Sequence, residues 1–496
     1  MTDAVMLQGT ASDAGKSVLA AGLCRIFKQD GLAVVPFKSQ NMALNSFITS
    51  LGDEMGRAQV TQAEAAGLEP DVRMNPVLLK PSSDHRSQVI FLGKILGEMD
   101  ATSYHQFKPA LLEDILQIYQ ELGEEYDAIV VEGAGSPAEI NLKDKDIVNM
   151  GLARAVGCPV ILVADIDKGG VFASIYGTIA LLEPEERALV KGIIINKFRG
   201  DVALLQPGID MIEELTGVPV LGVVPYLQVA IDPEDSVALS QKSRTVDKTK
   251  DLDIAVIGLK RLSNFTDFQA LENEVDVSLR YVWSATELGT PDVIILPGSK
   301  DTIGDCLYLQ EEGIDQAISR AVHTGSRLFG ICGGYQLLGR RLLDPDGVES
   351  QLGEIAGLGF LDIETVFRKS KRTKQVQARQ GSYCLSGYEI HMGETKILGQ
   401  EEAFAVIEDE GGRHLDGAVS RDGHIQGTYL HGIFDNQEWT RAYLNQIRSE
   451  KGLAPLPISG LSMAERKEQA YNQLADQLRS SLDMKRIYQI LKGEGG

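Results

Sequence analysis

Three short runs in this chain carry residue types that can do chemistry. The first is Gly9-Thr-Ala-Ser-Asp-Ala-Gly15-Lys16-Ser17, which joins the apolar run Val5–Leu7 to the helical pattern VLAAGLCRIF. A glycine-bounded loop between strand and helix turns backbone N–H groups and the positive end of a helix dipole toward phosphates. In that setting Gly9, Thr10, Asp13, Ala14, Gly15, Lys16 and Ser17 are expected to hold ATP, with Lys16 reaching the β/γ oxygens and Ser17 ligating Mg²⁺. Five residues separate Gly9 from Gly15, one more than in the commonest form of the loop.

The second run is Leu328-Phe-Gly330-Ile-Cys332-Gly-Gly334-Tyr-Gln336. A nucleophile on a tight strand-to-helix turn needs small neighbours, because its backbone is strained and crowded. Cys332 has glycines on both sides, at Gly330 and at Gly333 and Gly334; Cys24 and Cys158 read as packing. Upstream, Ile294-Ile-Leu-Pro-Gly298-Ser299 ends a strand. Its backbone at Gly298 and Ser299, with the N–H of Gly333, makes the expected oxyanion hole. The third run, Gly427-Thr-Tyr-Leu-His431-Gly, supplies the expected base. His391 is the competing histidine and reads as structural or substrate-facing.

Apolar runs rich in Val and Ile position these residues. Val5–Leu7, Ala33–Phe37, Ala128–Val131, Pro159–Ala164, Gly192–Ile195 and Pro219–Val224 alternate with helical patterns such as Leu111–Leu122. Near-continuous apolar strands of this kind predict a parallel sheet buried on both faces. Polar sequence without periodicity then runs from Gln228 to Leu252, and alternation restarts with Ile254–Leu259, Val277–Val282, Val293–Leu296 and Leu328–Ile331. The division expected is residues 1–228, a linker at 229–252, a second α/β domain at 253–450, and a C-terminal helical extension at 451–496. The fold class is α/β, with two doubly wound domains. In the extension, Tyr471, Leu474, Leu478, Leu482, Ile487 and Leu491 line one face of a helix or two.

Composition narrows the partners. The chain has 496 residues and a formal net charge of −22, which disfavours nonspecific binding to nucleic acid or to an anionic membrane. Five scattered cysteines without C-x-x-C spacing fit neither a disulfide framework nor a zinc site, and point to the cytoplasm. No apolar stretch approaches a membrane span. The densest basic run, Arg368, Lys369, Lys371, Arg372, Lys374 and Arg379, reads as a solvated loop or hairpin, with steering of a polyanion as the alternative. Nothing in the sequence sets the oligomeric state.

The longer phosphate loop resembles that of dethiobiotin synthetase and its relatives. Lys38 in VVPFKSQNMALNS and Glu132 in IVVEGAG agree with that likeness, and it implies adenine contacts from Asn196 and Lys197 in GIIINKF. Glu132 would hold Mg²⁺ directly or through water, with Glu54 and Asp53 as further metal candidates. GICGGYQLLG followed by GTYLHG resembles class I glutamine amidotransferase domains. That family implies attack of Cys332 on the glutamine side-chain amide, a thioester, and release of ammonia, with His431 as base and then acid. Those domains usually place an orienting glutamate two residues after the histidine. Ile433 stands there, so the orienting group is missing or comes from elsewhere.

The two together resemble the cobyrinate-amidating enzymes, in which ATP activates a carboxylate and ammonia converts it to an amide. FKSQNMALNS, EMGRAQVTQAEAAG, MNPVLLKPSSD, EGAGSPAEINL, ADIDKGGVFAS, RLSNFTDFQAL and LPGSKDT resemble the kind that amidates the b, d, e and g carboxylates of adenosylcobyrinic acid a,c-diamide. The resemblance implies L-glutamine and that corrinoid as substrates, with Asn41 and Asn45 as candidate corrinoid contacts. One alternative is the kind that makes the a,c-diamide. Another is a regulatory P-loop ATPase with a degenerate amidotransferase domain.

Overall fold

The computed structural model describes residues 2–82, 85–227, 229, 231, 242–409, 412–458 and 460–494. Of the expected linker at 229–252, residues 230 and 232–241 lie outside them. Two units account for the chain. The first holds the described residues up to Ala43, those from Glu54 to Ile231, and those from Ala464 on; the second holds Leu44–Asp53 and Lys242–Met463.

All six expected strands of the first unit form one parallel sheet. Its order is Val220–Pro225, Val190–Phe198, Val160–Asp165, Asp3–Gly9, Ala128–Glu132 and Val34–Phe37. Asp3–Gly9 is central, so the loop after it opens at the carboxyl edge, where open α/β sheets bind ligands. A smaller sheet of Gln40–Met42, Val77–Pro81, Arg86–Phe91 and Lys94–Asp100 belongs to the same unit.

The C-terminal residues form helices Met463–Ser481 and Met484–Leu491. Tyr471, Leu474, Leu478, Ile487 and Leu491 are buried in one cluster with Val5, Leu7, Leu19 and Leu23. The extension is thus part of the first unit's core, although more than two hundred residues of the second unit intervene. Gly22 permits the close approach: a Cβ there would stand 2.2 Å from Leu478 Cδ1. Arg25 pairs with Glu468, and Arg479 and Tyr488 with Asp30.

In the second unit, Val277–Val282, Leu252–Ile257, Val293–Leu296, Arg327–Ile331 and Ile425–Thr428 run parallel in that order, with Ala418–Val419 antiparallel at the edge. The sequence reading did not anticipate a second, largely antiparallel sheet built on the long hairpin Ile363–Gln380 and Tyr383–Ile397. The basic run lies on this hairpin, where Arg372 pairs with Glu389 and Asp409 and Lys374 with Asp409.

If the terminal helix is core rather than appendage, Leu478→Ala leaves a cavity in the first unit. Its unfolding free energy should fall by about 2–5 kcal/mol, read by denaturant titration. A loss below about 1 kcal/mol would mean that the helix is an appendage, as for an ordinary surface substitution.

Candidate active sites

In the first unit, the phosphate loop ends at Gly15, whose φ of +95° and close approach to Asn196 exclude a side chain. Helix Lys16–Gln29 follows. Lys16 Nζ donates to the carbonyls of Ala11 (3.2 Å) and Gly135 (3.1 Å). These are the bonds that phosphate oxygens would exchange with. Behind the loop lies Glu132, 1% exposed. Its Oε1 accepts from Ser17 Oγ and from Lys38 Nζ, both at 2.8 Å, and its Oε2 from Gln62 Nε2 at 2.5 Å and Gln59 Nε2 at 3.4 Å. A buried carboxylate needs compensating donors, and this one gathers them from three separate stretches of chain. A hydroxyl and a carboxylate oxygen side by side are hard donors that fit Mg²⁺.

Asn196 Nδ2 donates to Ala14 O at 2.8 Å. Lys197, with φ +62°, donates to Asp13 O and pairs with Asp165 at 2.9 Å. Both residues therefore touch the loop itself. Thr10 N donates to Val163 O, which anchors the loop to the neighbouring strand.

Three of the expected residues are engaged differently. Glu54, expected as a metal ligand, forms a buried ion pair with Lys80 at 2.8 Å, which already supplies a cation to its carboxylate. Asn41, expected to meet the corrinoid, is buried and bonded at both ends. Its Nδ2 donates to Gln59 Oε1 and its Oδ1 accepts from Met42 N, each at 2.9 Å. Asn45 belongs to the second unit, where its Oδ1 accepts from Phe265 N at 3.2 Å. The apolar run of the first unit is interrupted there, and sequence continuity gave no sign of it.

In the second unit, Cys332 caps strand Arg327–Ile331 with φ +53° and ψ −109°, a strained conformation for a non-glycine residue. Its neighbours must be glycine. A Cβ on Gly334 would stand 1.9 Å from Leu296 O, and one on Gly333 2.8 Å from Ser299 N. The second distance brings Gly333 and Ser299 together as an oxyanion hole requires. Ser299 Oγ donates to Asp305, whose carboxyl burial pushes up to about 6. The thiol donates to Ile390 O at 3.5 Å.

His431 is fully buried and stacks on Tyr388, with ring centroids 5.1 Å apart. Its Nδ1 donates to Asp267 Oδ2 at 2.7 Å, and Gly432 N donates to the other oxygen at 3.0 Å. Asp267 is the orienting group missing beside Ile433. It arrives from Asn264–Phe268, a turn no local spacing connects to His431. Burial pulls the imidazolium pKa down, but the Asp267 charge and then that of the Cys332 sulfur outweigh it and push His431 up to about 10. No Nε2···Sγ hydrogen bond of ordinary geometry forms, though the sulfur acts on the ring electrostatically. The arrangement can attack an amide carbon with sulfur and hand a proton to the departing nitrogen. His391 stacks on Tyr429 and its Nδ1 donates to Gly393 O at 2.8 Å.

Residues 5–236 match the CobQ/CobB/MinD/ParA nucleotide binding domain, and residues 253–439 the CobB/CobQ-like glutamine amidotransferase domain. The cobyric acid synthase of Streptococcus sanguinis (strain SK36) is 64% identical over the full length of both chains. The chain belongs to the cobyric acid synthase family. Enzymes of that name from Listeria monocytogenes (strain EGD-e) and Limosilactobacillus reuteri (strain DSM 20016) are 57% and 58% identical, each covering 98% or more of this chain and 98% of the relative. The expected α/β class, with a phosphate-loop domain and an amidotransferase domain, is borne out. As a member of this family, the chain is an ATP-dependent ligase with glutamine as nitrogen donor. Among the described residues no helix is long and apolar enough to cross a membrane, and no cluster of three or more His, Cys, Asp or Glu could hold a metal.

Asp267→Asn removes the charge that keeps the proton on His431, so the ring's pKa falls. The alkaline limb of the glutaminase pH profile should move down from near 10 by about a unit or more, with kcat reduced about 10²- to 10⁴-fold. An alkaline limb identical to that of the parent enzyme would take Asp267 out of the catalytic group.

Proposed function

We propose that this chain converts the b, d, e and g carboxylates of adenosylcobyrinic acid a,c-diamide to amides, giving adenosylcobyric acid. The observation that carries the reading is full-length similarity to cobyric acid synthases together with two complete sets of reactive groups. A P-loop ATPase used only as a switch has no need for a strained cysteine beside a buried His–Asp pair.

In the amidotransferase unit, Cys332 passes its thiol proton to His431, its sulfur attacks the glutamine side-chain carbonyl, and Gly333 and Ser299 N–H groups receive the developing oxyanion. His431 gives its proton to the leaving nitrogen, freeing ammonia and leaving a thioester. The ring, now neutral, takes a proton from water as hydroxide equivalent attacks the thioester, releasing glutamate. Held by Asp267, the ring keeps its Nε2 turned away from Asp267 throughout. The Gly298–Ser299 loop is the frame of the oxyanion hole.

In the synthetase unit, Gly9, Thr10, Asp13, Ala14, Gly15 and Lys16 cradle the ATP phosphates, with Asn196 and Lys197 bracing the loop on its base side. Mg²⁺ held by Ser17 and Glu132 would neutralise phosphate charge. Lys38 offers a second cation for the transferring group. A substrate carboxylate oxygen attacks the γ-phosphorus and ADP leaves. Ammonia then attacks the acyl carbon and inorganic phosphate leaves, so each amide consumes one ATP and one glutamine. The scattered cysteines and acidic surface suit a cytoplasmic enzyme with no nucleic-acid or membrane partner.

Mass spectrometry of the corrinoid, incubated with ATP, Mg²⁺ and glutamine, should show four successive losses of about one mass unit each. Cys332→Ala should abolish them with glutamine and retain them with ammonium. Amidation of cobyrinic acid at two positions, and none of the a,c-diamide, would reassign the chain to a,c-diamide synthesis.

Glu132→Gln removes the charge that binds Ser17 and Lys38. Corrinoid amidation with ammonium should fall about 10²-fold or more, the order seen for losing one electrostatic group. Glutamine hydrolysis measured without ATP should stay within twofold. Equal losses in both assays would contradict a role confined to the synthetase chemistry.

A further inference from the structure

Asp305 lies in the first turn of helix Thr302–Glu311 and is 1% exposed. A carboxylate taken out of water needs donors, and this one finds them on two separate segments of the second unit. Its Oδ2 accepts from Ser299 Oγ at 2.5 Å and its Oδ1 from Arg261 N at 3.3 Å. Ser299 Oγ in turn accepts from Asp301 N at 3.0 Å, so the hydroxyl is held from both sides. The two segments also pair with each other. Leu262 stands opposite Ser299 and Ser263 opposite Gly298 in antiparallel register, and Lys300 N donates to Arg261 O at 3.0 Å.

Both segments end at the reacting groups. A Cβ on Gly333 would stand 2.8 Å from Ser299 N, and one on Gly298 3.3 Å from His431 Cε1. The Gly298–Ser299 backbone therefore runs between the nucleophile turn and the histidine. The segment that starts at Arg261 continues into Asp267, whose carboxylate orients His431. One buried carboxylate thus clasps the oxyanion donor to the stretch of chain that aims the imidazole.

We propose that Asp305 is a positioning residue for glutamine hydrolysis, and that its ionised carboxylate locks the Ser299 N–H in the place where the oxyanion forms. The inference rests on reading Cys332, His431 and Asp267 as the glutaminase centre. Protonation would put a hydrogen on one oxygen of Asp305, and the donor facing that oxygen would have to turn or part. Burial, aided by the Asp301 charge, pushes Asp305 up to about 6 against the pull of the Ser299 hydroxyl and of the Arg261 and Lys260 amides. The ionised form is the working one, so glutamine hydrolysis is full above that pH and falls as pH drops through it. Other titratable groups surround the helix. Cys306 and Tyr308 on the helix itself are both pushed up by burial, and Lys260 Nζ lies 4.5 Å from the Tyr308 ring centre. Asp315 of the next helix acts on Cys306, and Glu349 accepts from Ile303 N at 3.1 Å.

Asp305→Asn in the full-length enzyme keeps the shape but turns an NH₂ group toward a donor. Above the acid limb, kcat for glutamine hydrolysis should fall about 10- to 100-fold with KM within about twofold, as expected when the oxyanion donor is misplaced and substrate binding is not. The acid limb near 6 should vanish, because an amide does not titrate; a limb set by Glu349 would stay. Ser299→Ala removes the clasped hydroxyl and keeps the backbone N–H. Since both changes break one bond, the double variant should be within about twofold of Asp305→Asn alone. Alkylation of Cys332 by iodoacetamide, followed by peptide mass, forms no oxyanion and should run within about twofold of the parent rate, which reports an intact nucleophile turn. A parental kcat or a retained acid limb in Asp305→Asn would overturn the proposal. So would fully additive losses in the double variant, or alkylation slowed as much as hydrolysis. Glutamate release that survives Cys332→Ala would instead sink the glutaminase reading itself.

Discussion

A carboxylate taken out of water has to be met by donors from several directions, and both chemical centres of this chain are organised around one such group. Glu132 and Asp267 are 1% and 3% exposed. The cost of desolvating a charge is recovered only if geometry and partner number are good. That requirement explains why each carboxylate draws its partners from distant parts of the sequence. Glu132 draws Ser17, Lys38, Gln59 and Gln62; Asp267 draws His431 and the Gly432 amide. The phosphate loop, the strand ends and the nucleophile turn are arranged so that these partners arrive.

The two groups do different work with the same physics. At Glu132 the surrounding cation and hydroxyl form the kind of site a phosphate-bound metal enters. At Asp267 the charge is directed at one imidazole and shifts its protonation upward. A histidine whose protonated form is favoured in this way takes up the Cys332 thiol proton readily and then carries it to the departing ammonia.

The reach of sequence reasoning followed how local each feature is. The phosphate loop and the cysteine turn are contiguous, and each is marked by its own glycines, Gly15 at φ +95° and Gly334 against the Leu296 carbonyl. Strands of the parallel sheet were legible because burial on both faces leaves an unbroken apolar run. Asp267 was not, since it lies 164 residues before His431 in a turn with no periodicity. The basic run was read as a solvated loop or hairpin, and it does lie on a hairpin; the length of its strands, Ile363–Gln380 and Tyr383–Ile397, was not legible because charges from Arg368 to Lys374 break the apolar alternation.

Domain membership was the least legible property, because it is decided by which core a side chain enters and not by order along the chain. Leu474 and Leu478 have the spacing of any amphipathic helix. Nothing in that spacing says that their partners are Leu19 and Leu23 at the opposite end of the protein. The same holds for Asn45, an amide in a run that otherwise looks like part of the nucleotide-binding half. A chain that passes out of one core and back contributes residues to both.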